Sequence, residues 1–401
     1  MKHWILFVSA FAAVSCSLVE IEDGRSGNGV SGGVWGGPLE DVGSENVARQ
    51  VCYVTAFDYQ KGYDWRTDQA RESVRCSLVV YADGKPIMKV PVGEQYEIGS
   101  DPDMHRIISG HLYTDYSTAE ETVVRKDGLQ IFRYIGREAV CGMSVVGEDV
   151  YTIGQSRSGD GFSYRKNGEA IFAKESGVLM GTLRNIDDSL SFAYYDNIHS
   201  AEGNLERYYV VRNGKVRQVA VREDIRKVWD IVCTKDEVIY LASVTGVSAP
   251  VLFQGEKMTA MPLSADAKIM SSSIHYSEGK LGVEMTYRIG ADICTSLWMN
   301  GVVLKVLGKG MMVSSVCLIE NGLCFTSNPM TIMSGGMIFR SGDQYPMPQW
   351  YSCIGNNAMS MVNGILHVGL SSTIGARPLI WKDGQLDTLQ VNGYISSVSA
   401  M

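Results

Sequence analysis

Arg125-Lys126-Asp127-Gly128 and Arg165-Lys166-Asn167-Gly168 decide the fold. Each follows a short run of β-branched or aromatic residues, and each is followed by another apolar run. Asp-Gly and Asn-Gly in that setting signal a two-residue hairpin, because the type I′ turn needs positive φ at both central positions. The unit recurs at Tyr81-Ala82-Asp83-Gly84, Val211-Arg212-Asn213-Gly214, Phe253-Gln254-Gly255 and Trp298-Met299-Asn300-Gly301. It recurs again at Phe339-Arg340-Ser341-Gly342 and Trp381-Lys382-Asp383-Gly384. Gly84 and Gly384 stand 300 residues apart, so the seven intervals average about 43 residues. Chance supplies two or three such turns, not eight at near-even spacing.

A second series of turns lies roughly midway between these. It runs through Ser109-Gly110, Gly147-Glu148-Asp149, Ile186-Asp187-Asp188, Lys235-Asp236, Glu278-Gly279, Asn321-Gly322 and Asn363-Gly364. Strand-like runs such as Val150-Tyr151-Thr152-Ile153 and Val238-Ile239-Tyr240-Leu241 follow. Two hairpins per repeat mean four strands per repeat, and no helical periodicity competes.

Four-stranded units of about 40–45 residues are the mark of propeller blades. Residues 50–401 therefore resemble an all-β β-propeller. Eight turns imply eight blades, or seven if the region of Cys52 to Val90 is irregular. The pattern departs from WD40 proteins: Trp229-Asp230 is out of register with their Trp-Asp dipeptide. The first repeat has a second, third and fourth strand but no first. The chain ends in an unpaired first-strand pattern, Tyr394-Ile395-Ser396-Ser397-Val398-Ser399, which is expected to complete blade 1 and close the ring.

Residues 1–15 read as a signal peptide: Lys2, then the apolar stretch Trp4 to Val14, too short to span a bilayer. The quartet Ala13-Val14-Ser15-Cys16 resembles the lipobox of bacterial lipoproteins, although that family usually has Leu where Ala13 stands. The resemblance implies lipidation of Cys16, and Ser17 after it implies the outer membrane rather than the inner. Glycine-rich residues 16–49 read as a flexible tether. A formal charge of −8 argues against a nucleic-acid partner, since phosphate neutralisation needs a basic face.

The long connections fall on one face, where function is expected. The blade-1 insertion, Asp58 to Arg75, carries Tyr59, Tyr63, Trp65 and Arg66. Blade 4 carries Asp196 to Arg207, with His199, Asn204 and Glu206. Trp229-Asp230 and Trp350-Tyr351 are assigned to blade-to-blade connections. Aromatics beside carboxylates and amides suit sugar rings, or else staple loops to the body. Arg184, Cys233, His275, Cys317 and Ser399 align on the first strands, facing the axis. No pair of histidines has metal spacing, so neither metal nor cofactor is expected. Cys52 and Cys76 flank the blade-1 insertion and are candidates for a disulfide at its base; Cys141, Cys233 and Cys317 read as buried thiols.

The expectation is a lipid-anchored, extracytoplasmic, monomeric binding or scaffold module for a glycan or an envelope protein. The alternative is a saccharide-active lyase or hydrolase with its site over the axis, and fold analogy cannot choose between them.

Overall fold

The computed structural model describes residues 50–401, apart from 62–75, 93–104, 118–119, 137, 157–160, 187–188, 201–202, 220, 278, 320–321, 330–335, 341 and 355–357. The expected signal peptide, Cys16, the expected tether and Tyr63, Trp65 and Arg66 lie outside these residues.

Eight antiparallel sheets form a ring, seven of four strands and one of five segments, in the order expected of a blade. Blade 1 joins Ile395–Ala400 to Cys52–Tyr59, Cys76–Ala82 and Lys85–Val92. Blades 2 to 7 span 105–135, 138–174, 178–218, 225–260, 268–307 and 311–346. Blade 8 spans 351–388, and its first strand is split into Tyr351–Ser352 and Met359–Val362. The strands Cys52–Tyr59, Cys76–Ala82 and Lys85–Val92 pair as a regular blade 1, which removes the seven-blade alternative.

The Asx-Gly turns explain their own composition. Asp83, Asp127, Asn167, Asn213, Asn300 and Asp383 all have φ between 42° and 52°, and the glycine after each is also positive. The side chain has a second task. Asn167 Oδ1 accepts the Val150 amide at 2.8 Å, and Asn213 Oδ1 accepts that of Leu190 at 3.0 Å. Asp127 does the same for Leu112 at 2.9 Å, and Asp83 for Cys52 at 3.0 Å. Each turn between strands three and four is thereby stitched to the start of strand two of its own blade. Gln254 of blade 5 lacks this geometry, and its amide instead reaches Glu237 Oε1 at 2.7 Å.

The apolar core is divided among the seams. Eight clusters of buried side chains each draw on at least two neighbouring blades. The ring has no single centre of hydrophobic mass, so its stability depends on every seam being closed.

The last strand closes blade 1 as expected. Cys52 pairs with Ala400 and Val54 with Val398. Val51 N donates to Met401 O at 2.7 Å. Gln50 and Asn363 exchange three hydrogen bonds of 2.7–3.0 Å, tying the entry of the chain to blade 8. Gly393 turns into this strand so close to the sheet that a Cβ there would lie 2.2 Å from Phe57 O.

The proposed Cys52–Cys76 disulfide is not formed; both are free thiols. They do lie on adjacent strands, but Cys76 is opposite Tyr59, at the far end from Cys52. Seven residues at about 3.4 Å each separate the ends by some 24 Å, far beyond the roughly 7 Å limit for a disulfide. Cys233 is buried, whereas Cys141 and Cys317 are half-buried. Burial lifts the Cys52 and Cys141 thiols to about 11, so neither is a thiolate at neutral pH.

Candidate functional site

The turns on one face of the ring are short. The connections between strands two and three, and from blade to blade, emerge on the other face, and the first strands converge between the two. Arg184 demonstrates that convergence, because one guanidinium reaches two further blades. Its Nη2 lies 3.0 and 3.2 Å from the Asp230 carboxylate of blade 5. Its Nη1 donates to Ile274 O of blade 6 at 3.3 Å. Asp230 is buried, and its oxygens also accept the amides of Ile231 at 2.8 Å and Ile274 at 2.7 Å. This axial pair therefore rivets three blades together.

Both partners follow a register break. The ladder shifts between Met180 and Arg184 and again between Val228 and Asp230. Such bulges re-aim the side chain that follows. Trp229 and Asp230 thus stand inside the strand Ile225–Cys233, not on a connection. Trp229 is half-buried, its Nε1 donates to Ser243 Oγ at 2.8 Å, and Lys227 Nζ sits 4.2 Å above its ring.

His275 faces Glu284 at 3.6 Å, beyond hydrogen-bond length. Arg184, His275 and Cys317 do share one position, two residues before the pair that closes the first hairpin of their blade. Cys233 is itself in that closing pair. Tyr59 is the last residue of its strand and is buried against Phe57 and Tyr394 rather than offered to solvent. Trp350 has φ of 70°, and its carbonyl accepts from Thr373 N and Oγ1 at 2.7 and 2.9 Å. Tyr351 donates its hydroxyl to Arg377 O at 2.9 Å. These last three aromatics hold the framework.

The blade-4 insertion forms something else. Asp196 to Arg207 is not a loop; it continues strands Ser189–Ser200 and Gly203–Arg212 into a projecting hairpin. The outer strand Lys215–Gln218 is too short to cover it. A cleft of about 500 Å³ opens between the hairpin and residues 218–226, where the chain passes to blade 5. Its floor is Tyr208, whose hydroxyl accepts the Val228 amide at 3.0 Å and donates to Glu206. Asn197 and Gln218 supply amides, and Arg207, Arg222 and Arg226 line the rim. Arg222 is committed to Asp224 through two hydrogen bonds of 3.0 and 2.7 Å. Among the described residues Arg226 bonds Thr245 Oγ1 at 3.2 Å, and neither it nor Arg207 has an ion-pair partner. The cleft therefore offers two guanidinium groups with no ion-pair partner among the described residues, together with the carboxylates of Glu206 and Glu223 and a hydroxyl and amide floor, groups that can bind a hydroxylated ligand bearing carboxylate. Burial raises the Tyr208 phenol, so it stays protonated.

Among the described residues no group of three or more His, Cys, Asp or Glu could hold a metal ion.

The order of strands in every sheet makes the chain a β-propeller. No family model matches it, and no curated protein matches its sequence. It is similar in fold to the β-propeller domain of the Trilobed protease from Pyrococcus furiosus, at 9% identity and a TM-score of 0.43, over 75% of this chain and 92% of that one. It is also similar to a prolyl endopeptidase, at 12% identity and a TM-score of 0.44, over 80% of this chain. It spans only 55% of that enzyme. TolB from Acinetobacter baumannii aligns at 13% identity and a TM-score of 0.34, over 87% of this chain and 82% of TolB. Likenesses this distant concern the fold alone and transfer no substrate or partner.

Proposed function

We propose that the chain is a lipid-anchored, extracytoplasmic binding module whose blade-4 cleft takes a carboxylate-bearing glycan. The cleft carries the reading: Arg207 and Arg226 are left for a ligand, and Asn197, Gln218 and Glu206 can exchange hydrogen bonds with hydroxyl groups. A concave site of a few hundred Å³ fits a short saccharide better than the flat surface of a folded partner. The anchor rests on the lipobox-like quartet ending at Cys16, and with it the outer-membrane address. No observation favours a lyase or hydrolase: the axial carboxylate of Asp230 is fully occupied by Arg184 and two backbone amides.

The test is an Arg207→Ala/Arg226→Ala double variant on an array of acidic and neutral glycans. Acidic glycans should be bound by the native protein and at least tenfold more weakly by the variant, with melting unchanged. Binding of neutral glycans only, or of an envelope protein with equal affinity for both forms, would overturn the assignment. Cys16→Ala should release the protein from membranes; continued sedimentation with membranes would reject the anchor.

A further inference from the structure

A second cavity lies across the seam where the ring closes. It measures about 570 Å³, and its walls come from the first and last blades. Val54 of blade 1 and Ile380 and Leu389 of blade 8 give it an apolar lining. Three of its charged groups are already engaged: Lys382 pairs with Asp387 at 2.6 Å, and Asp83 Oδ1 accepts the Cys52 amide at 3.0 Å. Two others are available. His367 is buried, and its Nδ1 lies 3.1 Å from Ile365 O. The ring donates from Nδ1, which leaves the Nε2 lone pair as an acceptor in the cavity that the ring lines. Burial holds the imidazole below its ordinary pKa, consistent with a neutral ring. Lys85 is exposed at the rim and has no carboxylate partner among the described residues.

An apolar floor, one neutral acceptor and one uncommitted ammonium define a ligand by complementarity. We propose that this seam cavity is a second binding site, distinct from the blade-4 cleft, for a small amphipathic carboxylate that also carries an O–H or N–H donor. The carboxylate meets Lys85, the donor meets His367 Nε2, and the body lies on Val54, Ile380 and Leu389. Because the walls belong to blades 1 and 8, the bound molecule also bridges the seam between them and stabilises it by mass action.

Three probes test this on the full chain by isothermal titration: 4-hydroxyphenylacetate, phenylacetate without the donor, and 4-hydroxyphenethyl alcohol without the carboxylate. The first should bind saturably, raise Tm and protect backbone amides at 52–54 and 365–368 from hydrogen exchange. The other two should bind at least tenfold more weakly. Lys85→Gln, an exposed change that leaves the fold intact, should weaken the first probe at least tenfold, as should His367→Phe. No saturable binding of 4-hydroxyphenylacetate, or binding that neither substitution alters, would overturn the proposal. So would protection confined to residues 218–226.

Discussion

Toward blade 4, blade 3 turns Phe162 and Tyr164; toward blade 2 it turns the alternate residues, Ser163 and Arg165. The first seam is aromatic. Phe162 meets Phe192 edge-on at 6.0 Å and Tyr194 at 5.1 Å, and Tyr194 stacks on Tyr209 at 4.9 Å. Among the described residues the apolar cluster of the second seam is smaller, with Tyr113, Val124, Met143 and Val150 as its buried members. It is completed by a nearly buried ion pair. Glu138 accepts from Arg165 Nη2 at 2.8 Å and from Ser163 Oγ at 2.7 Å, and the guanidinium lies 4.0 Å over the Tyr134 ring. Gly154 leaves the space, since a Cβ there would come within 2.8 Å of Glu138 Oε2. One strand thus joins its neighbours by dispersion and apolar burial on one side and by directed charge on the other. A propeller requires that each seam be filled, not that all be filled alike.

The aromatic seam should give the largest response. Phe162→Ala removes a ring that touches three others and should lower stability by about 3–5 kcal/mol, read from urea unfolding. A loss under about 1 kcal/mol would mean that the seam collapses around the gap and that the contrast is overstated.

A third seam, between blades 1 and 2, sharpens the comparison because it holds an ionisable group without charge. His105 is buried edge-on to Phe57 at 5.1 Å, and burial, aided by the charge of Arg106, pushes its pKa down to about 4. The folded value lies below the unfolded one, so there is no penalty above pH 6.5. As pH falls from about 6.5 to about 4, the unfolded chain takes the proton first and about 3 kcal/mol of stability is lost. The stability difference between native protein and His105→Phe should change by about that amount between pH 7 and pH 4. Parallel pH curves would show that His105 is not held neutral.

The ion-paired seam should respond less to a single change but in a diagnostic way. Arg165→Met leaves Glu138 without its cation and should cost about 2–3 kcal/mol, below the value for a fully buried pair because both side chains keep some solvent contact. Adding Glu138→Leu should recover most of that loss. Additive losses would remove the pair as the cause.

The smallest effect tests what both seams of blade 3 share. Asn167→Ala deletes the bond to Val150 and puts a less tolerant residue at positive φ, at about 1–2 kcal/mol. Asn167→Asp keeps the acceptor for Val150 but replaces the bond from Asn167 Nδ2 to Asp149 Oδ1, 2.8 Å in the native protein, by like-charge repulsion, so it should also destabilise and should recover when Asp149 is changed to Asn. No measurable loss from Asn167→Ala would deny the side chain its stitching role.

These features differ in how far they could be read beforehand. The turn series was legible because positive φ at two successive positions leaves few residue choices, and Asx-Gly is one of them. The closing strand was legible because blade 1 visibly lacked one. Trp229-Asp230 was misplaced because the bulge at Val228/Asp230 breaks the alternation that marks a strand. The pairing of Arg184 with Asp230 depends on two such bulges in different blades, and no local spacing carries that information. The blade-4 cleft arises where a strand pair outgrows its outer neighbour, a mismatch of lengths that the insertion Asp196 to Arg207 only hinted at. The Cys52–Cys76 disulfide failed on direction: adjacent strands were read correctly, but not which ends meet.

The hydrogen bond from Ser396 Oγ to Thr55 O joins residues 341 positions apart in the chain. During synthesis Cys52–Tyr59 is made before blades 2 to 8, and Ile395–Ala400 after them. Blade 1 must therefore wait, short of one strand, while every other blade is produced. A chain stalled a few residues early would carry an unpaired strand edge, open to pairing with another copy. Closure of the ring therefore waits on Tyr394 to Met401, however complete the blades before it are.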